Sequence, residues 1–320
     1  MMKPISAILL LVLCIQSITA FSQNRDTARI GIYINSIYDL NIEEKSFTVD
    51  FWMWINHSDS NNHFENKVEV PNTKGVEFSH FAAEKVGNGE WVTQKCKAEI
   101  MQNWDVSCFP FDKQKLRIEL EDSEYDISKM LYLADTVNSK IDESFDSGEW
   151  KIESFSIKEE AKTYNTTYGN PNLKGFSSYP GVVAEIVIKR KNSWVMLAKM
   201  LTGAYVAFLI SCLVFFVSSD NQDSRFGLCV GGLFAAIGNK YIVESVVPSS
   251  NTNTLMDNAH NVTFTFILLI VLIIVISLHL FESGDEQKKK ISLWIDRIAF
   301  VVISLSYMLI NGWLVFQASR

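Results

Sequence analysis

The sequence predicts an antiparallel β-sandwich outside the cytoplasm, followed by a four-helix transmembrane bundle. Short runs rich in β-branched and aromatic residues fill positions 23–191. Four apolar stretches, each near the roughly 20 residues that cross a bilayer, fill positions 192–320. The 48% hydrophobic content of the 320 residues is concentrated in that last part and in a short N-terminal run. This uneven distribution predicts two domains behind a leader.

The N-terminal run, residues 1–22, predicts a secretory signal peptide. Lys3 precedes an apolar core of about ten residues, and the small residues Thr19 and Ala20 follow it. Cleavage is expected after Ala20. A first membrane anchor is the alternative, but the core is too short to span a bilayer. The domain that follows is therefore expected outside the cytoplasm.

The sandwich is predicted from short strand-like runs, separated by clusters of Gly, Asn, Asp and Pro. A polar break at Asn41–Lys45 separates the first two runs. Regular turn signals between short strands are typical of an antiparallel sandwich. The expected strands are 29–40, 45–55, 89–104, 113–122, 149–157 and 181–191.

Two of the five cysteines, Cys96 and Cys108, fall in the expected sandwich, where an oxidising compartment permits a disulfide. The segment between them reads mostly as one extended strand. Its ends would then lie beyond the roughly 7 Å that a disulfide spans, so we expect no bridge, with a folded-back pair as the alternative. Cys212 and Cys229 fall in membrane segments and are expected to be inert packing residues.

The four membrane segments have an orientation that follows from the external sandwich. The link between the second and third segments lacks Lys and Arg, whereas the last link carries Lys288–Lys290, as expected for an outer and an inner link. The C-terminus is then outside. Lys189–Lys191 break this charge rule on the outer side, so another interaction must hold them there. The segments are expected at about 194–217, 226–247, 262–281 and 293–316.

The second membrane segment is the least lipid-like of the four. Residues 224–248 contain four glycines together with Asn239, Lys240 and Glu244, and Pro248 is expected to end the helix. Steps of four and three residues place six positions on one stripe of this helix. The stripe consists of Gly227, Gly231, Phe234, Gly238, Tyr241 and Ser245.

Two interpretations of the stripe compete. In one, Gly227 and Gly231 form a GxxxG-like packing site inside the bundle. In the other, the stripe lines an aqueous pore, where the glycines leave width and Phe234 forms an apolar ring that gates by dewetting. One helix cannot enclose a pore, so the second interpretation requires several copies around an axis.

The segment "WDVSCFPFDKQKL", residues 104–116, carries a resemblance to a known family. The F-P-F-D turn followed by a glutamine, together with the order of the domains, resembles the prokaryotic pentameric ligand-gated ion channels of the Cys-loop receptor superfamily. The strand "SFTVDFWMWI", Arg190 and Arg225 match more loosely. The resemblance implies a homopentamer in membrane lipid, with a central pore opened by a ligand or by ionic conditions at the sandwich.

The chain departs from that family at several positions. The family disulfide would join positions corresponding to Gln102 and Leu116, and neither is a cysteine. The first membrane segment lacks the family's proline, and the pore stripe has Gly, Phe and Tyr in place of Ser, Thr and aliphatic residues. A non-conducting pentameric sensor or scaffold is therefore the alternative, although the short inner loops offer little cytoplasmic surface to receive a signal.

The resemblance implies that the FPFD turn touches the outer ends of the membrane helices. Phe109, Pro110 and Phe111 would sit beside the 248–261 link, and Asp112 would face Arg190. Losing one partner of a buried carboxylate–guanidinium pair leaves a costly lone charge. We expect these five residues to couple the sandwich to the pore, with a purely structural bond as the alternative.

The resemblance also implies a ligand site between subunits, behind the hairpin at 159–181. Its aromatic residues suit an ammonium or aromatic ligand through cation–π contact. Trp52 or Trp54 is expected on the complementary side, with strand alternation leaving only one of the two on that face. Exposed loop side chains and an empty pocket are the alternatives. The hairpin candidates are Tyr164, Tyr168, Phe176 and Tyr179.

Acidic side chains at both ends of the pore segment are the candidates for ion selectivity. Five copies of Asp223 would form an inner ring that favours cations. Arg225 would oppose this ring if it faced the pore, but the resemblance implies that it points away. Glu244 would form a second, outer ring. The alternative for Glu244 is an ion pair with Lys240 between subunits.

Other functions find little support in the sequence. The formal charge of −7 comes without a basic stripe, so no nucleic-acid partner is expected. The five histidines lack metal-ligand spacing and no catalytic motif is present, so neither an enzyme, a metal site nor a cofactor is expected. Modulation by divalent cations stays open. The expected location is the cell inner membrane, with the N-terminal domain and the C-terminus periplasmic.

Overall fold

The computed structural model describes residues 25–58, 64, 67–143, 148–171, 174–247 and 252–320. The expected signal peptide and Pro248 lie outside the described residues. The chain forms strands as far as Arg190 and helices from Ser193 onward. The change from strand to helix therefore falls where the composition of the sequence changes.

Twelve strands are described in the first part. They are β1 (Asp26–Asn41), β2 (Ser46–His57), β3 (Val68–Glu69), β4 (Thr73–Val86), β5 (Gly89–Met101), β6 (Lys113–Asp122), β7 (Met130–Ala134), β8 (Lys140–Ile141), β9 (Trp150–Glu159), β10 (Lys162–Tyr164), β11 (Ser177–Tyr179) and β12 (Gly181–Arg190).

The strands form two facing sheets and a small hairpin. One sheet has the order β4–β5–β2–β1–β7, with β8 also on β1; the other has the order β3–β6–β12–β9; and β10 pairs with β11. The expectation of a wholly antiparallel sandwich is wrong in one respect, because β7 and β8 pair with β1 in parallel. The chain crosses from β6 in the second sheet to reach that edge of the first, which sets the direction of β7.

The core of the sandwich follows from strand alternation. In β2, Phe47, Val49, Phe51, Met53 and Ile55 are all buried, and they pack in one cluster with the inward residues of β6 and β12. Burying one such side chain contributes about 1.5–3 kcal/mol. The alternation therefore sets which face of each strand is left for function.

The described part of the chain contains four helices long and apolar enough to cross a membrane. They are α1 (Ser193–Cys212), continued by a 3-10 turn at Leu213–Phe216, α2 (Gln222–Glu244), α3 (Leu255–Phe281) and α4 (Glu286–Ala318).

Two of these helices begin seven residues earlier than the hydropathy of the sequence indicates. α3 begins at Leu255 rather than about 262, since Thr254 and Asp257 form a capping box that starts the helix on polar residues. α4 begins at Glu286 rather than about 293, after an N-cap at Asp285. The additional residues at the start of each helix include polar side chains, so they do not belong to the apolar stretch that the sequence shows.

Cys96 and Cys108 are free thiols. Cys96 is buried inside the sandwich, and β5 continues past it to Met101. At about 3.3 Å per residue, that stretch alone carries the chain roughly 17 Å from Cys96 before the turn containing Cys108 begins.

Candidate functional site

The turn between β5 and β6 sits against the outer ends of three membrane helices. Val106, Phe109 and Phe111 share one apolar cluster with residues of α1, α2 and α3. The backbone N–H of Leu255 donates to the Ser107 carbonyl at 3.0 Å, and the Phe111 ring meets Trp194 edge-on at 4.8 Å. The helix-side members of the cluster are Leu197, Leu201, Val243, Leu255, Met256 and Ala259.

This seating differs in one detail from what the resemblance implies. The turn was expected beside a loop at 248–261, whereas Leu255 onward is already helix, because the capping box begins α3 early. The Phe109–Pro110 peptide bond is cis. Because α3 already begins at Leu255, the turn contacts the first residues of this helix directly.

Asp112 and Arg190 form a buried ion pair at this junction. Arg190 Nε donates to Asp112 Oδ1 at 2.7 Å, and the two side chains are 6% and 1% exposed. The guanidinium lies over the rings of Trp150 at 4.2 Å and Phe109 at 4.8 Å. The contact that the resemblance implies is present, and its role in coupling stays a prediction. It also accounts for one of the three basic residues on the outer side.

Sequence reasoning missed the residue that completes this pair. Gln114 Nε2 donates to Asp112 Oδ2 at 2.9 Å and to the Asp105 carbonyl at 2.7 Å, while its Oε1 accepts from the Asp105 backbone N–H at 3.2 Å. Both carboxylate oxygens of Asp112 are thereby occupied. The glutamine after F-P-F-D was visible as part of the motif, but no sequence signal gave its partners.

The hairpin between β9 and β12 brings three tyrosine rings together. Tyr164, Tyr168 and Tyr179 have centroids 5.6, 6.1 and 6.3 Å apart, with edge-on geometry. Lys162 lies with its ammonium 5.7 Å from the Tyr164 ring centroid. Phe176 is 59% exposed and is not part of this group. Three of the four hairpin candidates therefore form one aromatic cluster within a subunit.

A buried carboxylate lies beneath these rings. The Tyr164 hydroxyl donates to Glu121 Oε2 at 2.8 Å, and Lys162 donates to Glu119 Oε2 at 2.7 Å. Leu116, Ile118 and Leu120 of the same strand point into the core, so Glu121 points outward and is covered by the hairpin.

Burial is the main cause that raises the pKa of Glu121 to about 7. The Tyr164 hydrogen bond and the Lys162 charge lower the pKa, while the neighbouring Glu69 and Glu119 raise it further. Glu121 was not a sequence candidate, since an acidic residue at an outward strand position ordinarily indicates a solvated side chain.

The expectation that only one of Trp52 and Trp54 lies on a given face is wrong. A strand alternates with a period of two residues, so positions 52 and 54 share the face opposite the buried Phe51 and Met53. Trp54 Nε1 donates to Asp135 Oδ2 at 3.0 Å, and its ring lies against Gly31, where an added Cβ would be 2.2 Å away.

The tryptophans also lie apart from the tyrosines. Trp52 meets His80 at a centroid distance of 6.2 Å, and both tryptophans belong to the first sheet, whereas the tyrosine hairpin covers the second. This arrangement is compatible with two sides of a site formed between copies. Within one subunit the two groups stay on separate sheets.

All six positions of the glycine-and-aromatic stripe are exposed, with Phe234 at 68% and Tyr241 at 69%; five lie in α2, and Ser245 is its C-cap. An added Cβ at Gly227, Gly231 or Gly238 would meet nothing within 4 Å. The buried face of α2 is a different stripe, formed by Arg225, Cys229, Gly232, Ala236 and Val243.

The close-packing glycine of α2 is Gly232. A Cβ there would lie 2.1 Å from Ser211 Oγ and 2.9 Å from the Ala207 carbonyl oxygen of α1. The interpretation of Gly227 and Gly231 as packing positions inside the subunit is therefore wrong. The sequence places three glycines within six residues, and only the fold shows which one contacts a neighbouring helix.

Arg225 points into the bundle at the inner end of α2. It is 1% exposed, its Nη2 donates to Asp296 Oδ2 at 2.6 Å, and its Nη1 donates to Ser219 Oγ at 3.2 Å. Asp223 is exposed. Asp296, in the first third of α4 next to Arg297, was also missed by sequence reasoning, although an acid in an apolar membrane segment indicates a buried partner.

At the outer end, the Glu244–Lys240 pair lies within one helix. Lys240 Nζ is 3.4 Å from Glu244 Oε1 at i,i+4 spacing and 4.0 Å from Asp257 Oδ1 of α3. A Lys240–Glu244 ion pair is thus present within the chain, and a pair between subunits stays a prediction. Glu244 stays half-exposed, so Lys240 neutralises its charge only partly.

No family model matches the chain. Among curated proteins, it is 25% identical to the neuronal acetylcholine receptor subunit alpha-5 of Gallus gallus over 195 residues, which are 61% of this chain and 40% of that protein. The beta-3 subunit of Rattus norvegicus is 25% identical over 61% of this chain and 39% of its own length. The non-alpha-2 subunit of Carassius auratus is 23% identical over 70% and 51%.

The matched part spans between about two fifths and one half of the length of these relatives. They are receptor subunits and not enzymes, in line with the lack of catalytic motifs. A β-sandwich followed by four apolar helices fits the fold of the Cys-loop receptors. The homologues of this chain are thus neuronal acetylcholine receptor subunits, which confirms its resemblance to the Cys-loop receptor superfamily.

Proposed function

We propose that the chain is the subunit of a homopentameric ligand-gated ion channel that conducts cations. Each subunit contributes α2 to a central pore, and the sandwich opens that pore when a ligand binds. The proposed location is the inner membrane of a prokaryotic cell, with the sandwich and the C-terminus on the periplasmic side and the signal peptide removed by cleavage after Ala20.

The position of the stripe on α2 carries this proposal. Gly227, Gly231 and Gly238 face away from every packed contact of the subunit, while Gly232 packs on α1. The three glycine positions of this row offer acyl chains no side-chain surface, while the large side chains of Phe234 and Tyr241 between them are exposed. Around an axis, the same row leaves width for water, and a ring of Phe234 narrows it.

The junction supports transmission from the sandwich to α2. The apolar cluster of Phe109 and Phe111 includes Val243, in the last turn of α2, and Leu255, at the start of α3. The Asp112–Arg190 pair joins that turn to the end of β12, which leads directly into α1. A displacement of the turn would therefore change its contacts with α1, α2 and α3 together.

The hairpin supports an organic ammonium as the ligand class. The ring centroids of Tyr164, Tyr168 and Tyr179 lie 5.6–6.3 Å from each other, and aromatic rings attract an ammonium group. The relatives are named acetylcholine receptor subunits, and acetylcholine carries a quaternary ammonium. Glu121 beneath the rings adds a carboxylate that further favours a cation when it is ionised.

Cation selectivity is supported by the inner end of α2. Asp223 is exposed there, and the adjacent Arg225 charge is turned into the bundle and neutralised by Asp296. Five Asp223 carboxylates would then act without opposing guanidinium groups. Glu244 would add a weaker outer ring, because Lys240 partly neutralises it.

The test is current across planar bilayers that contain the purified full chain, over a panel of amines, calcium concentrations and pH values. We expect agonist-evoked current with a reversal potential that follows the cation gradient. An anion-following potential would overturn the Asp223 argument. A monomeric protein would overturn the pore, and saturable ligand binding without current would instead support the non-conducting sensor.

A matched pair of glycine variants tests the stripe itself. Gly231→Leu should reduce single-channel conductance strongly while leaving the thermal stability of the subunit unchanged, since nothing packs on Gly231. Gly232→Ala should leave the single-channel conductance unchanged and destabilise the subunit by about 1–3 kcal/mol, because the added methyl group overpacks against α1. Equal conductance in wild type and Gly231→Leu would place this face away from the pore.

A further inference from the structure

A histidine and a carboxylate stand side by side at the end of β2 and the start of β5. Every second residue of β2 from Phe47 is buried, and this inward-facing row ends at His57, which is 8% exposed. Glu90 lies directly opposite His57 in the register of the two strands, in the row of β5 that continues with the buried Val92. Polar side chains at such core positions cost stability unless their polar atoms are satisfied.

The two side chains meet at a distance that an ordinary hydrogen bond does not explain. His57 Nε2 lies 3.5 Å from Glu90 Oε2, beyond the roughly 3.2 Å limit of an N–H···O bond, and the side chains are only 3% and 11% exposed. Neither ring nitrogen of His57 has a hydrogen-bond partner among the described residues. The buried imidazole therefore faces a carboxylate without a hydrogen bond between them.

A tetrahedral metal ion between the two groups accounts for this distance. Zn²⁺ binds imidazole nitrogen at about 2.0–2.1 Å and carboxylate oxygen at about 2.0–2.2 Å, so two such ligands at the tetrahedral angle lie about 3.3–3.5 Å apart. The separation of 3.5 Å between Nε2 and Oε2 is within that range. A neutral imidazole with its proton on Nδ1 presents a lone pair at Nε2, and this lone pair and the carboxylate can bind the same cation.

A cavity of 440 Å³ gives an ion access to the pair. Both His57 and Glu90 line this cavity, so a bound ion can keep water ligands on the cavity side. The other polar side chains of the lining are neutral, apart from Arg29, whose charge acts on Asp135. The neutral side chains are those of Thr27, Asn56, Ser58 and Asn88.

An aromatic ring and the backbone hold the histidine in place. The Phe64 ring packs against the His57 ring at a centroid distance of 4.6 Å. An added Cβ at Gly89 would lie 1.9 Å from the His57 carbonyl oxygen, so a glycine is needed for the start of β5 to come this close to the end of β2. A ligand whose ring and backbone are already fixed loses little conformational freedom when it binds an ion.

We propose that His57 and Glu90 bind one Zn²⁺ ion per subunit, with water in the remaining coordination positions. An imidazole ligand suits zinc, whereas Ca²⁺ and Mg²⁺ prefer oxygen ligands. Among the residues that the structure describes, no group of three or more His, Cys, Asp or Glu side chains could hold a metal ion, so the site is an exchangeable one rather than a closed structural one. Spacing along the sequence did not indicate it, because strand pairing brings the two residues together. The site does not depend on conduction.

Isothermal titration calorimetry of the purified full chain with ZnCl₂ at neutral pH tests the assignment. Wild type should bind one Zn²⁺ per subunit, and excess Ca²⁺ should not compete. Glu90→Gln and His57→Phe should each lower the zinc affinity about tenfold or more, since each removes one of two protein ligands. Glu90→Gln keeps the size of the side chain, and His57→Phe keeps a ring against Phe64. Zn²⁺ should also raise the melting temperature of wild type and of neither variant.

His80→Phe is the matched control, because His80 is an exposed histidine of the same sheet that does not line the cavity. The zinc affinity of this variant should equal that of wild type. An equal loss in His80→Phe would mean that zinc binds exposed histidines as an adventitious ion only, and would overturn the proposal. Wild type without saturable zinc binding would also overturn it and leave His57 and Glu90 as a buried ion pair. Unchanged zinc binding in both His57→Phe and Glu90→Gln would place the ion elsewhere and overturn it as well.

Discussion

Two buried arginine–aspartate pairs lie at opposite ends of the membrane domain, and they are built differently. At the outer junction, Arg190 Nε meets Asp112 at 2.7 Å; at the inner end, Arg225 Nη2 meets Asp296 at 2.6 Å. The outer pair is surrounded by further partners, whereas the inner pair leaves Arg225 Nε and Asp296 Oδ1 without a hydrogen-bond partner among the described residues.

The difference follows from what each pair connects. The outer pair joins the sandwich to the start of α1, and Gln114, Trp150 and Phe109 hold its two side chains in place. The inner pair joins α2 to α4 inside one bundle, with Ser219 as its additional donor. A fully satisfied polar network specifies one geometry, while an incompletely satisfied one mainly offsets the cost of its own burial. We therefore propose that the outer pair transmits the signal and that the inner pair positions α2.

The largest expected effect comes from Arg190→Ala. Agonist binding should persist, because the tyrosine hairpin does not contact Arg190, while opening should be abolished, because Asp112 loses the group that links the turn to α1. Radioligand binding and bilayer recording on the same preparation measure the two quantities. Lys189→Ala is the neighbouring control. Loss of binding together with opening would make the outer pair purely structural.

Asp296→Leu tests the inner pair and should act on stability. It leaves the Arg225 charge buried alone, which costs about 3–5 kcal/mol. The double variant Asp296→Leu with Arg225→Met should recover most of this loss, because it removes both charges and keeps the volume apolar. Thermal unfolding in detergent measures each step. If the double variant were as unstable as the single one, the inner pair would be needed for more than charge balance.

The contrast between the pairs shows what the sequence could predict. The outer pair follows from a motif of contiguous letters, F-P-F-D, and from the basic residues at the end of the last strand. The inner pair has no such motif, since 71 residues separate Arg225 from Asp296 and only the fold of the helical bundle brings them together. The same holds for Glu121 and Tyr164, which are 43 residues apart.

Strand prediction failed where local pattern and fold diverge. β4 (Thr73–Val86) was not predicted, because almost all of its side chains are exposed and no apolar alternation marks it; its pairing with β5 holds it in the sheet. The alternation of β2 was visible in the sequence, yet the faces of Trp52 and Trp54 were assigned wrongly. Apolar periodicity therefore predicts elements with a buried face and misses those held by backbone pairing alone.

Glu121 is a third buried carboxylate. It differs from Asp112 and Asp296 because its neighbours are the Tyr164 hydroxyl and the Lys162 charge rather than an arginine. Its pKa is raised to about 7 from about 4.5, so the packed hairpin holds the proton more tightly than an open hairpin with hydrated Glu121. The packed state is therefore most stable below about pH 4.5, loses stability as the pH rises to about 7, and changes no further above that.

Hydrogen exchange of residues 162–179 should accordingly speed up between about pH 4.5 and 7, after correction for the intrinsic pH dependence of exchange. Glu121→Gln should remove this dependence, since it keeps an acceptor for the Tyr164 hydroxyl without a titrating charge. Glu153→Gln, an exposed acid on β9, is the control and should behave as wild type. If the pH dependence of exchange persists in Glu121→Gln, the titrating group is instead Glu69 or Glu119, which also face this site.

The smallest expected effect concerns the aromatic support of the outer pair, and two phenylalanines of one turn isolate it. Phe109 lies under the Arg190 guanidinium, whereas Phe111 is packed edge-on to Trp194. A double-mutant cycle of Phe109→Leu with Arg190→Gln should give a coupling energy of about 0.5–2 kcal/mol, and the same cycle with Phe111→Leu should give close to zero. Both substitutions remove a similar amount of buried apolar surface, so packing losses cancel within each cycle. Equal coupling in the two cycles would mean that the turn responds to Arg190 as a whole and that the ring beneath the guanidinium has no specific part in holding the pair.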